Sequence, residues 1–125
     1  MPTIDLFDHA LPRIAGYRDV SPEATYGARA QIRLIDVREP HEFDGDLGHV
    51  PGAELVPLHT FGALARHWDR ETDVILICRS GGRSGRAAEM LVAAGFRRVM
   101  NMAGGMLAYS AQQLPVERRA TGATA

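Results

Sequence analysis

Residues 74–77, Val-Ile-Leu-Ile, are apolar at every position, with no polar alternation in the run. A strand with that pattern is covered on both faces, as in the interior of a parallel sheet. The run belongs to a longer segment, "DVILIC" (73–78), and three other short apolar segments also read as strands: "IRLIDV" (32–37), "AELVPL" (53–58) and "RVMNM" (98–102). Between them the apolar spacing becomes helical. Phe61, Leu64, Ala65 and Trp68 fall at i, i+3, i+4 and i+7, with Thr60 placed to cap. Ala87, Met90, Leu91 and Ala94 repeat the spacing, and Gly95 supplies a stop. Ser21 and Pro22 open a further helical stretch as cap and first-turn residue, with Gly27 weakening its interior. Residues 5–15 read as one more helix, limited in length by Pro12.

Strands alternating with helices predict an α/β domain on a mostly parallel sheet, with helices on both faces. A chain of 125 residues is one domain by size. The expected organisation is a helical extension over residues 1–19, the domain proper over 20–113, and a flexible tail over 114–125. That tail includes "ERRATGATA", which has too little apolar surface to order itself. No internal repeat is visible.

Composition narrows the function classes. A formal charge of −1 gives no electrostatic case for nucleic acid or for an anionic membrane surface. No apolar run reaches the length of a membrane span, and "MPTIDLFDHALPRI" lacks the basic start and apolar centre of a signal peptide. The single cysteine forms no internal disulfide, which suits a reducing cytoplasm. All 14 basic residues are arginine, so an arginine near a site carries less information here than usual.

That cysteine, Cys78, ends the apolar run and is followed by "RSGGRS". Ligands of open α/β sheets bind beyond the carboxyl ends of the strands, which is where Cys78 is expected. Gly81 and Gly82 permit tight or left-handed backbone, so successive N–H groups can form an anion cradle. A helix from about Ser84 adds its positive end, and Arg79 and Arg83 add full charge. A thiol in such a place ionises more readily than usual. A free cysteine is otherwise most often a small buried core residue, but a core position has no need of two glycines and two arginines behind it. The five histidines (9, 41, 49, 59 and 67) show no metal-ligand spacing, so no metal is expected. "SGGRSG" is not a phosphate loop either, because that pattern needs a lysine and the chain has none.

Three ordered motifs carry a resemblance. "LIDVREPHEFDGDLGHVPGAELVPL", "ILICRSGGRSGRAAEMLVAAGF" and "VMNMAGGMLAY" resemble the first signature, the active-site loop and the closing turn of the rhodanese domain family, over about residues 20 to 110. The resemblance implies a five-stranded, mostly parallel sheet flanked by helices and a catalytic cysteine that accepts sulfane sulfur. Cys78 is then the nucleophile and sulfur carrier, and Arg79, Ser80, Gly81, Gly82, Arg83 and Ser84 form the substrate cradle. Thiosulfate or a persulfide serves as donor, and cyanide or a thiol as acceptor. The acceptor thiol includes that of a thioredoxin-like or biosynthetic protein. No metal or organic cofactor is implied. Asp36, Arg38 and His49 belong to the first signature; they read as an ion pair and a turn-capping imidazole that serve the fold rather than the chemistry.

The chain departs from the family pattern twice. "DGDL" lengthens the loop between Phe43 and Gly48, and Met106 stands where many members carry tryptophan. Two other function classes compete. A cysteine-dependent phosphatase or arsenate reductase also pairs Cys with Arg, but one fewer residue separates Cys78 from Arg83 than in the common phosphatase pattern. A rhodanese-like regulatory module without turnover is the other, and many of those lack the cysteine that this chain keeps.

Overall fold

The computed structural model describes residues 5–119. Its elements, in chain order, are α1 (Leu6–His9), β1 (Leu11–Pro12), β2 (Arg18–Val20), α2 (Pro22–Ala28), β3 (Arg33–Asp36) and α3 (Pro40–Phe43). They continue with β4 (Glu54–Leu55), α4 (Leu58–Ala65), β5 (Val74–Ile77), α5 (Gly82–Ala93), β6 (Val99–Met102) and α6 (Gly105–Ala111). The six strands form one sheet in the order β1-β2-β6-β5-β3-β4. All neighbours are parallel except β1 and β2, which form an antiparallel pair.

Strand β5 has a neighbour on each side, with Ile35 opposite Leu76 and Leu76 opposite Asn101. Val74 through Ile77 are each no more than 1% exposed, as an uninterrupted apolar run requires. On one face α4 and α5 bury Phe61, Ala65, Ala87, Ala88 and Leu91 against Ile35, Val37 and Leu76. On the other, α6 contributes Met106 and Tyr109 to a cluster with Leu34, Ile75, Ile77 and Met100, and Ala24 and Tyr26 of α2 pack against it. The domain is thus helix, sheet and helix in three layers.

Several expectations change. The first 19 residues are not a helical extension: within the described part only α1 is helical, and β1 and β2 join the sheet. Pro12 has no N–H to donate, which an edge strand tolerates and a helix interior does not. The expected sheet of five strands gains the antiparallel β1 as a sixth. Ser21 does cap α2, accepting from the Ala24 N–H at 3.1 Å. Thr60 does not cap α4, because that helix begins at Leu58 behind Pro57 and the Thr60 hydroxyl donates back to the Pro57 carbonyl. Leu64 and Met90, expected on buried stripes, are 49% and 43% exposed. The tail is not loose over its described part. Glu117 pairs with His49 across two backbone hydrogen bonds, and Arg118 donates to the Gly45 and Asp46 carbonyls. Residues 120–125 of the predicted tail lie outside the described residues.

Candidate active site

Cys78 follows the last residue of β5 at the carboxyl end of the sheet and is 1% exposed. Burial alone is what a core cysteine shows. The sulfur, however, faces polar hydrogens. The Gly81 N–H donates to Sγ at 3.0 Å, and the Ser84 hydroxyl donates to it at 3.2 Å. Burial pushes the thiol up, but the Ser84 hydroxyl and the peptide N–H groups of Ser84, Gly81 and Ser80 outweigh it, so the net displacement from the ordinary value of 9.0 is downward. These donors therefore shift the thiol toward its ionised form.

The loop geometry follows from its glycines. Gly81 sits at φ +105°, a left-handed conformation that a side chain rarely adopts, and it lets α5 start at Gly82 rather than at the expected Ser84. The helix thereby gains two residues, about half a turn, at the end whose N–H groups lie near the sulfur. A second support comes from the closing turn. Met106 N–H donates to the Cys78 carbonyl at 2.8 Å, and Leu107 N–H donates to that of Arg79 at 3.0 Å. Gly105, at φ +59°, makes this approach possible: a Cβ there would lie 2.5 Å from the carbonyl oxygens of Cys78 and Arg79.

The arginines divide. Arg79 is exposed on the rim of the loop, with no ion-pair or hydrogen-bond partner for its side chain among the described residues. Arg83 is committed: its guanidinium makes a two-pronged pair with Glu42 at 2.7 and 2.8 Å. That pairing holds the Glu42 carboxyl at about 2, well below its ordinary 4.5, against a smaller opposing effect of burial. Glu42 also accepts the Glu39 N–H at 3.0 Å and so closes a capping box on α3. Sequence reasoning missed this residue. Its partner lies 41 positions away, and the only local mark is the Glu39–Glu42 spacing of the capping box, which says nothing of Arg83.

The first-signature residues lie behind the loop. Arg38, 1% exposed, binds the fully buried Asp36 at 2.8 and 2.9 Å and donates to the Gly48 carbonyl at 2.7 Å and the Glu42 carbonyl at 3.1 Å. The chain Asp36–Arg38–Glu42–Arg83 thus ties the end of β3 to the start of α5. His49 stacks flat on Phe43, with ring centres 3.6 Å apart, and its Nδ1 donates to the Phe43 carbonyl at 2.9 Å. Neither Arg38 nor His49 touches the sulfur. Asn101 of β6 also lies by the loop, its Nδ2 3.9 Å from the place a Gly81 Cβ would take, and its Oδ1 is buried without a hydrogen-bond partner among the described residues. Met106 is fully buried in the core beneath the turn. A cavity of about 730 Å³ beside Arg33 and Asp73 is at the opposite end of the sheet, away from Cys78. No cluster of three or more metal-ligating side chains occurs among the described residues.

What this arrangement can do chemically is stabilise negative charge on the Cys78 sulfur with fixed hydrogen-bond donors. A comparison with known proteins bears on that. The Rhodanese-like domain family model matches residues 22–112. A sulfurtransferase of Allochromatium vinosum is 34% identical over 85 residues, covering 68% of this chain and 78% of its own. The rhodanese-like/PpiC domain-containing protein 12 of Arabidopsis thaliana is 39% identical over 84 residues; the match covers 64% of this chain and 27% of that protein's length. Among solved structures, a rhodanese-related protein of Thermoplasma volcanium superposes with a TM-score of 0.72 at 25% identity, over 81% of this chain and 98% of that one. Fold, motif order and matched span agree, and the chain belongs to the rhodanese-like domain family.

Proposed function

We propose that this protein is a sulfurtransferase that moves sulfane sulfur through a persulfide on Cys78, of the thiosulfate sulfurtransferase type. The observation that carries the reading is the buried Cys78 sulfur accepting from the Gly81 N–H and the Ser84 hydroxyl. In the first step the Cys78 thiolate attacks the outer sulfur of thiosulfate or of a persulfide. A new S–S bond forms at Sγ as the donor's own S–S bond breaks, and sulfite or a thiolate leaves with the electron pair. In the second step cyanide or an acceptor thiolate takes the outer sulfur and Cys78 returns to the thiolate. Each step is a displacement at sulfur, and neither calls for a metal or an organic cofactor.

The cradle of residues 79–84 stabilises the anionic sulfur in both steps through its amides and the Ser84 hydroxyl. Asp36, Arg38 and His49 brace the loop from behind. A small sulfur donor, with a small-molecule thiol, a thioredoxin-like protein or a biosynthetic protein as acceptor, completes the scheme. A reducing cytoplasm suits a working single thiol. Among the described residues no helix is long and apolar enough to cross a membrane.

Intact-mass analysis after incubation with several sulfur donors tests the reading. One added sulfur atom on the wild-type chain, removed by cyanide and absent from Cys78→Ser, is the expected result. A chain that takes sulfur from no donor is a binding module instead, and release of phosphate from an aryl phosphate would place it with the cysteine phosphatases.

A further inference from the structure

The charges around Cys78 cancel almost pairwise. Arg38 is held by Asp36 with both side chains buried, and Arg83 is held by Glu42. A cleft of about 260 Å³ opens beside the loop, with Arg79, Glu42, His41 and Asp46 on its walls. Outside this cleft, and lining a separate cavity with Phe43 and His49, Arg118 lies against the Asp46 backbone and the Arg119 N–H donates to the Asp44 carboxylate at 2.6 Å. Arg86, one turn further along α5, does not line the cleft. Among the described residues this leaves Arg79 as the cation of the cleft that no carboxylate holds, with the Asp46 carboxylate, which no cation holds, lining the same cleft.

A site so balanced treats its donors unequally. Thiosulfate carries two negative charges, so its encounter with the thiolate gathers three. An organic hydropersulfide brings at most one of its own. The loop has a cation in Arg83 that could offset the extra charge of thiosulfate, but Glu42 has neutralised it.

We infer that Glu42 is a specificity-determining residue that sets the donor class of this site, selecting hydropersulfides of low charge over thiosulfate by cancelling the charge of Arg83. The inference rests on the sulfurtransferase reading above. The favoured step is balanced: the Cys78 thiolate bonds to the outer sulfur of R–S–SH, the R–S bond to that sulfur breaks, the proton stays on the transferred sulfur, and R–S⁻ leaves with the electron pair. The neutral donor brings no charge in, and the one negative charge that starts on Cys78 departs on R–S⁻. With thiosulfate, the persulfide anion and the sulfite dianion must separate within the same pocket, where donors near a half-buried charge act more strongly than in water.

The test is kcat/KM for thiosulfate and for cysteine persulfide, with cyanide as common acceptor. Glu42→Gln keeps the capping hydrogen bond on α3 and removes the charge. It should raise the thiosulfate-to-persulfide ratio about tenfold, the scale of a single steering charge in a cleft. Arg83→Gln should lower the ratio, and the charge-neutral double variant should return it to within about twofold of wild type, as expected when two charges act through each other. A ratio that stays flat across the three variants, or a double variant that fails to return, overturns the inference. A measurement on the wild type alone decides it if a variant fails to fold. Between about 20 mM and about 200 mM salt, kcat/KM for thiosulfate should change little, because a neutral site has no long-range attraction to screen. A steep fall with salt would reveal an unneutralised cationic subsite and overturn the inference. Failure of the underlying reading looks different: neither donor then leaves a sulfur atom on Cys78 by intact mass.

Discussion

The Ser84 hydroxyl donates to the Cys78 sulfur across 3.2 Å, and neither residue is more than 1% exposed. A bare thiolate in so dry a place is unfavourable, so its donors decide how ionised the sulfur is. Ser84 supplies both its hydroxyl and its peptide N–H, more than any other residue of the loop. Ser84→Ala removes one of these and leaves the backbone in place. The thiol of that variant should titrate higher than in wild type, and alkylation by iodoacetamide near neutral pH should slow about fivefold, the scale of one lost hydrogen bond to a charged group. An unchanged pH profile of alkylation would mean that the peptide groups alone hold the sulfur ionised.

Arg38 donates its hydrogen bonds to Asp36 and to the carbonyls of Gly48 and Glu42. Replacing it with methionine leaves the Asp36 carboxylate buried with no cation and frees the carbonyls of Gly48 and Glu42. Breaking one side of a buried pair costs about 3–5 kcal/mol. Urea denaturation should show that loss, while Cys78 in the folded fraction keeps its alkylation profile. A normal denaturation midpoint together with a lost sulfur transfer would instead place Arg38 in the chemistry.

Gly105 should tolerate nothing larger. Alanine there would set its Cβ 2.5 Å from two backbone carbonyl oxygens, at a φ of +59°. Backbone cannot retreat as a flexible side chain does, so the turn must open and release the Met106 and Leu107 hydrogen bonds. We expect a loss of at least about 2 kcal/mol in stability, and weaker labelling of Cys78 by sulfur donors even in the folded protein. A variant with wild-type melting and labelling would show that the turn does not support the loop.

The Glu42 carboxyl gives a pH signature. Its value in the folded chain is about 2 against an ordinary 4.5, so folding favours the ionised form. The resulting stability is complete above about 4.5 and is lost as pH falls through that window toward about 2. Denaturation midpoints measured across the window should fall less steeply for Glu42→Gln than for wild type. Parallel slopes would mean that the Arg83 pair is not formed in solution.

The parts of this fold that sequence revealed are those written into adjacent residues. The apolar run Val74–Ile77 announced an interior strand, and Ser21-Pro22 announced the start of α2. The glycines behind Cys78 pointed to a loop that could turn its amides inward. The parts that stayed hidden depend on distant partners. Strand β2 is three residues long and joins the body of the sheet by pairing with β6, far later in the sequence. Thr60 has the chemistry of a cap but lies inside a helix that Pro57 starts earlier. Arg83 looked like an open cation until Glu42 was found against it.

The order of strands also bears on how the chain is made. Strand β6 lies between β2 and β5, so the β1–β2 hairpin reaches the rest of the sheet only through the strand of this sheet that comes latest in the sequence. While a ribosome is still translating the middle of the message, β2 has no neighbour but β1, and the open edge of β5 has none on that side. A nascent chain halted before Val99 therefore carries, besides the outer edges of β1 and β4, two open edges that the finished sheet covers, each a template for wrong pairing. Chaperone capture or degradation at that stage would follow from the topology itself, whatever the finished protein does with sulfur.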